Sequence, residues 1–492
     1  MSLNGQMDGT LKTVKNKLNA VSPSFCLAKW NQVTIHLNNG TTHSCHHCPS
    51  HKIPLEELKN NPSALHNTNE KKNTRKMMLN GERPKECNFC WRVEDLKDEN
   101  IFSDRVKKSS DPWNDDRIDT VPKMPWDVNV IPKYIELDFS NACNFKCLYC
   151  SPAYSTSWVK EIKEHGPIEA GKFRVNSLQA LAAKGELPFD GDEEDNPYIQ
   201  AFWKWFPDVL ASGELRDIRI TGGEPLLSKN TFQLMDYLID HPQPNLIFNI
   251  NSNLGAPKPY IDKLIEYANK LHNTKAVSRV TLFTSGEGYG ERGNYIRTGL
   301  DYKQWYENVD RIISSCPALY TTYMCTYNAL CVTSFKDFLK DALALMKKHV
   351  NYIDRWHPIL LSIPYMRDPE FLAGWVLTPD FLKYIEECIE YMKENEQIIG
   401  PHPLKGTLPK YDQWEQLVRP GFTPYIIHDM ERVLEVMKNA INTGAGRVTD
   451  LAILRQSFHK FIDESDRRRG TNFVETFPEM AGFYYMCKNE YP

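Results

Sequence analysis

From about residue 126 the chain alternates short apolar runs with stretches that are apolar along one side only. Residues 134–139, 217–221, 246–251, 280–284, 320–326 and 359–363 predict strands. Between them, residues 231–238, 260–271, 302–313 and 334–348 repeat apolar side chains at helical spacing. Strands alternating with helices predict parallel βαβ units, hence an α/β fold with an open sheet or a barrel. The insert 158–215 is longer than one crossover needs, and its acidic run 190–195 predicts a surface loop. From about residue 378 the pattern is helical only, over 378–394, 425–441 and 450–466. No internal repeat and no long low-complexity tract is present.

Upstream, Gln32-Val-Thr-Ile-His-Leu37 alternates as a strand, Asn38-Asn39-Gly40 signals a turn, and Thr41-Thr42-His43 can return. This predicts a hairpin ending at Cys45. A polar helical stretch, 54–78, leads to Glu86-Cys87-Asn88-Phe89-Cys90-Trp91, and the charged, Pro-containing segment 104–125 predicts a linker. The chain divides on this reading into a Cys-rich unit (1–125), an α/β unit (126–377) and a helical region (378–492).

With 492 residues the chain exceeds one ordinary core, so two or three units are expected. No run of eighteen apolar residues occurs, which argues against a membrane span. The N-terminus is polar and lacks the apolar stretch of a secretory signal, so the expected location is cytoplasmic. A net charge of −4 argues against a general nucleic-acid binder. The Arg467-Arg468-Arg469 triplet reads first as a solvated helix end and second as an anion contact.

Cysteine changes the picture. There are 13, an odd number, in a chain large enough to fold without disulfides. Cys45/Cys48, Cys87/Cys90 and Cys147/Cys150 are pairs at the spacing of metal ligation or redox chemistry. Cys143-Asn-Phe-Lys-Cys147-Leu-Tyr-Cys150 follows the first strand of the α/β unit, and strand carboxyl ends are where such folds bind ligands. Three thiolates can hold three corners of a 4Fe–4S cube. Without a fourth nearby, one iron stays open to an exogenous ligand. The bland alternatives are three unrelated core thiols or a zinc site lacking a ligand.

This motif, with Tyr149 before its last cysteine, resembles the signature of the radical S-adenosylmethionine (SAM) superfamily. Thr221-Gly222-Gly223-Glu224-Pro225 closes the second predicted strand and resembles that family's Gly-Gly-Glu motif, which receives the methionyl amino group of SAM. Ser285 and Tyr295-Ile296-Arg297 resemble the segment that reaches SAM's ribose and carboxylate in the SPASM/Twitch branch. Tyr327-Asn328 resembles another SAM-contacting position. Each of these also fits an ordinary loop residue. The resemblance implies a partial (β/α) TIM-type barrel in which SAM chelates the open iron. It further implies that an electron from a donor such as flavodoxin or ferredoxin cleaves SAM to methionine and a 5′-deoxyadenosyl radical, which abstracts hydrogen from substrate.

Cys26, Gly40, Cys45 and Cys87-x2-Cys90 resemble the Twitch domain, a hairpin and helix around one auxiliary 4Fe–4S cluster. In most relatives that domain follows the barrel, whereas here it precedes it. The stretch from Cys87 to Glu94 and on to Ser103-Asp-Arg105 resembles the subset that carries it N-terminally. The resemblance implies Cys26, Cys45, Cys87 and Cys90 as ligands. A structural zinc site of Cys45, Cys48, Cys87 and Cys90 competes with it. The iron–sulfur reading is favoured because only it uses Cys26 and Gly40. His46 and His47 are expected at the surface or behind the ligands. Cys316, Cys325, Cys331, Cys388 and Cys487 are expected as buried free thiols.

The expected function is therefore a radical SAM enzyme with two 4Fe–4S clusters, acting on a small molecule, peptide or protein. A non-catalytic zinc- or cluster-containing binding protein is the alternative, and an RNA-directed enzyme is disfavoured by charge. No general base is assigned. Glu287 is noted only as a strand-end acid expected to face the cavity.

Overall fold

The computed structural model describes residues 3–98, 101–114, 117–350, 358–399 and 418–489. Its organising element is a sheet whose strands are β1 (Gln32–His36), β2 (Thr41–His43), β3 (His51–Lys52), β4 (Tyr134–Asp138) and β5 (Asp217–Thr221). It continues through β6 (Gln243–Ser252), β7 (Val277–Ser285), β8 (Leu319–Met324) and β9 (Ile359–Ser362). The nine strands lie in the order β9-β8-β7-β6-β5-β4-β1-β2-β3, an open sheet with edges at β9 and β3. From β9 to β1 all neighbours are parallel, whereas β2 and β3 run antiparallel. The protein thus has an α/β fold built on a large, mostly parallel sheet.

Helices α1 (Leu3–Val21), α2 (Asn69–Leu79) and α3 (Asn88–Glu94) belong to the Cys-rich part. The insert after β4 supplies α4 (Thr156–His165) and α5 (Pro197–Ala211). The crossovers to β9 supply α6 (Lys229–Asp240), α7 (Lys258–Asn273), α8 (Gly290–Ile296), α9 (Tyr302–Ser315) and α10 (Phe335–His349). The C-terminal helices are α11 (Leu382–Glu394), α12 (Pro424–Thr443), α13 (Leu451–Arg469) and α14 (Ala481–Asn489). Among the described residues no helix is long and apolar enough to cross a membrane.

The strand pattern decides where the core lies. Ile135, Leu137, Ile218, Ile220, Phe248 and Ile250 are buried in one core with Phe202, Phe206, Leu234, Leu238 and Leu264 of the helices. The alternate positions are polar: Thr34, Glu136, Arg219 and Asn249 form one register row, and His36, Asp138, Thr221 lie one step further on. Parallel strands are ordinarily apolar on both faces. A polar face therefore marks a wall that lines a cavity rather than a second core.

Three expectations change. The hairpin of the Cys-rich unit adds to the main sheet, with β1 pairing in parallel with β4. The segment expected as a linker is folded where it is described, with helices Asp104–Ser109 and Arg117–Thr120 and buried Arg105, Val106 and Ile118. Of the arginine triplet only Arg467 is exposed. Arg468 bonds the carbonyls of Gly166 and Pro167 (2.8 and 3.2 Å), and Arg469 reaches Glu161 (3.4 Å) and Thr298 (2.9 Å). These contacts dock α13 onto α4 and the loop behind it. The five scattered thiols are buried and held in no disulfide, as expected.

Gly40 carries the hairpin turn at φ +68°, and an added Cβ would fall 1.9 Å from the Tyr198 ring of α5. Gly40→Ala should therefore cost about 2–5 kcal/mol, from left-handed backbone strain and overpacking together. A thermal unfolding midpoint equal to wild type would remove this constraint.

Candidate functional site

Two thiol nests stand at the ends of neighbouring strands. The first is the loop after β4. Its backbone is held by pairing with the segment that follows α8: Lys146 N–H donates to Thr298 O and Leu148 N–H to Ile296 O, both at 2.9 Å. From behind, Ser155 caps α4 and its hydroxyl bonds Phe145 O (2.6 Å), while Trp158 Nε1 donates to Cys147 O (2.9 Å). These bonds satisfy an irregular loop that a buried site could not otherwise hold.

The Gly222-Gly223-Glu224 turn packs against the same loop. Gly222 has φ +114°, and Cβ atoms added at Gly222 and Gly223 would fall 2.6 Å from Asp138 Cβ and 2.3 Å from Ala142 O. Only glycine permits that approach. Glu224 N–H donates to Ala142 O (2.7 Å). Its carboxylate accepts from Leu226 N–H, Ser252 Oγ and Asn253 N–H at 3.1, 2.9 and 2.7 Å. Burial nonetheless pushes the Glu224 carboxyl up to about 7. Beneath the turn, His36 Nδ1 lies 2.6 Å from Asp138.

Burial raises all three thiols, Cys143 to about 12. Donors already point at them: Phe145 N–H and Asn253 Nδ2 at Cys143 Sγ (3.4 and 3.7 Å), and Arg297 Nη1 at Cys147 Sγ (3.8 Å). The other edges of Arg297 hold Glu287 (Nη2 at 2.6 Å), which also accepts from Tyr149 OH (2.9 Å). Burial opposes the Arg297 charge, but Glu287, Tyr149 and Cys147 hold it well above its ordinary value. Glu287 is thus a buried counter-ion and not a cavity acid.

The structure brings Cys143, Cys147, Cys150, Tyr149, Gly222, Gly223, Glu224 and Arg297 into one neighbourhood. Ser285 ends β7 opposite Met324, without a described bond to the loop. Asn328 is committed to its own turn, accepting from Leu330 N–H (2.9 Å) and donating to Thr326 O (2.7 Å).

The second nest lies beside the β1–β2 hairpin. Cys26, Cys45, Cys48, Cys87 and Cys90 all line one pocket, joined by Lys29, Arg105 and Lys108. Cys48 stands centrally: its Sγ is 3.9 Å from Cys87 Sγ and accepts from Lys29 Nζ (3.4 Å). Hydrogen bonds from Cys45 and Cys87, with Lys29 beside it, hold the Cys48 thiol far below its ordinary value. Burial lowers Lys29, but Cys48, Cys87 and Glu86 outweigh it and keep the ammonium charged. Lys29 also pairs with Glu86. Burial pushes Cys90 up to about 12 and raises Cys26. His46 is exposed, and His47 binds Asp104 (2.6 Å) and stacks on Phe89.

Lys29, Glu86 and Asn253 were not singled out from sequence. Glu86 lies next to Cys87 in the chain and Lys29 lies three residues after Cys26, and this proximity was the available signal. No protein-family model matches the chain, and no match is found among curated proteins.

Arg297→Met should leave Glu287 buried without its partner, costing about 3–5 kcal/mol. A chemical-denaturation midpoint unchanged from wild type would show the pair to be dispensable.

Proposed function

We propose that the chain is a radical SAM enzyme, with a partial (β/α) barrel as its core and a Twitch-like unit before it. The observation that carries this reading is the meeting, at the carboxyl ends of β4 and β5, of three free thiols with the Gly222-Gly223-Glu224 turn and Arg297. The thiols fit the group. They are unpaired in any disulfide, lie close enough to feel one another's charge, and have N–H and guanidinium donors aimed at the sulfurs of Cys143 and Cys147. Cys143, Cys147 and Cys150 would hold a 4Fe–4S cluster which, with SAM, supplies a 5′-deoxyadenosyl radical that takes a hydrogen atom from substrate. Arg297 balances thiolate charge in this reading, and Tyr149 and Glu287 fix its plane. The turn at Gly222 and Gly223 brings backbone close to the loop, and α4 with Trp158 shields it from water.

In the second nest Cys26, Cys45, Cys87 and Cys90 would hold the auxiliary 4Fe–4S cluster. One zinc ion needs its four sulfurs about 3.8 Å apart, from Zn–S bonds of about 2.3 Å in a tetrahedron. Cys48 and Cys87 meet that spacing, but Cys45, Cys48 and Cys87 are not all gathered within 4.8 Å. Cubes attach their thiolates to separate irons, so a wider nest suits them. The zinc reading keeps one observation in its favour, the gathering of Cys48, Glu86 and Cys87 within 4.8 Å.

Anaerobic reconstitution followed by metal analysis separates these readings. About eight irons per chain without zinc are expected, and about four irons with one zinc would turn the second nest into a strut. Zinc without iron would overturn the radical reading. Cys147→Ala should abolish methionine release from SAM under reducing conditions, and wild-type release by that variant would reject the assignment of the loop.

A further inference from the structure

The polar face of the sheet opens, beside the second nest, into a cavity of about 290 Å³ walled by β1, β4, β5 and the loop at Ser44 and Cys45. Charges of both signs line it: Glu136 and Arg219 on the sheet, and Lys108 and Asp111 from the segment after Ser103. Glu136 of β4 and Arg219 of β5 are register partners on adjacent strands, the arrangement in which a cross-strand ion pair ordinarily forms. Among the described residues they form no ion pair with each other. Each is held elsewhere. Arg219 Nε donates to Asn251 Oδ1 (2.9 Å), and the guanidinium carbon sits 4.1 Å over the Phe283 ring. The plane of the fork is therefore fixed, and its two Nη groups have no described partner. Glu136 accepts one bond, from Tyr134 OH (2.7 Å), and its other oxygen has none.

Two more polar groups in the same wall lack partners. Ser44 is 3% exposed, and its Oγ makes no hydrogen bond. Trp113 Nε1 is likewise buried and unpaired. Buried polar atoms without partners are uncommon in native proteins and call for an explanation. Both atoms are closed off from solvent, so a bound molecule would meet the Arg219 fork and the free oxygen of Glu136, in a cavity at the small end of ligand sites.

We propose that this cavity binds a free α-amino acid, with the ligand carboxylate on the Arg219 fork and its ammonium group on Glu136. A fixed guanidinium is matched to a planar carboxylate. A ligand carrying only a carboxylate would leave Glu136 and Asp111 facing like charge, and a simple cation would face Arg219 and Lys108. A zwitterion satisfies both walls. The inference stands on the cavity and not on radical chemistry, so binding persists whether or not SAM is cleaved.

The test uses the full chain after anaerobic reconstitution and screens the common L-amino acids one at a time by thermal shift, then by calorimetry. At least one is expected to bind. Arg219→Gln and Glu136→Gln should each weaken it about tenfold or more. On wild-type protein, the methyl ester and the N-acetyl derivative of the same amino acid should lose binding to a similar degree, which keeps the test decisive if a variant misfolds. No binder in the screen would overturn the proposal, as would a binder that tolerates esterification or N-acetylation.

Discussion

Burying thiols close together is the constraint to which the rest of the molecule answers. A thiolate taken out of water must have a fixed counter-charge and donors, or it stays protonated. Both nests meet this in the same way, with one buried cation bridging a sulfur and a glutamate. Arg297 spans Cys147 and Glu287, and Lys29 spans Cys48 and Glu86. Glu287 chiefly keeps Arg297 charged, and Cys48, Cys87 and Glu86 together keep Lys29 charged, where burial alone would oppose the charge. The two nests share a solution and the Cys-x2-Cys spacing, though they rest on different elements.

The sheet converts that local solution into a site. Because β1 pairs with β4 in parallel register, the hairpin that leads to Cys45 stands beside the strand that leads to Cys143. The carboxyl ends of β1, β4 and β5 are therefore level, with the Cys143 loop at that end and Cys26 and Cys45 at the amino end of β1, so the two nests lie at opposite ends of one polar wall. An isolated Cys-rich unit joined by a flexible linker would leave their spacing undefined. The buried side chains of the segment after Ser103 remove that freedom, with Arg105 held by Glu94 and by the carbonyl of Phe25.

Local signals were legible in the sequence and distant ones were not. The six strands of the α/β unit stand out because each is a short apolar run set between helical stretches, and Gly40 marks its turn by chemistry that needs no partner. The cysteine loop and the glycine turn are likewise short-range patterns, and the structure brings them together as the motif order suggested. The pairing of β1 with β4 joins residues about a hundred positions apart, and no periodicity encodes it. Arg468 and Arg469 read as solvent-facing because burying arginine is unfavourable unless partners exist. Those partners, Glu161 and the carbonyls of Gly166 and Pro167, lie some three hundred residues upstream. Helix α1 was missed because its sequence is polar. Asn328, singled out by its likeness to a SAM-contacting position, uses its side chain within its own turn.

The open sheet has a further consequence. A closed barrel would fill its interior with layers of side chains, and the polar row Thr34, Glu136, Arg219 and Asn249 would have to be mutually satisfied or destabilise the fold. Here the sheet ends at β9 on one side and turns into the β2–β3 hairpin on the other, so this face meets a cavity and not a second layer. That relaxes the packing requirement on its side chains. Charges can then be kept apart in the middle of parallel strands, where a packed interior would force them to pair. The hairpin thus does two things with one set of strands: it carries cysteines to the sheet's edge, and it lets the neighbouring wall remain polar.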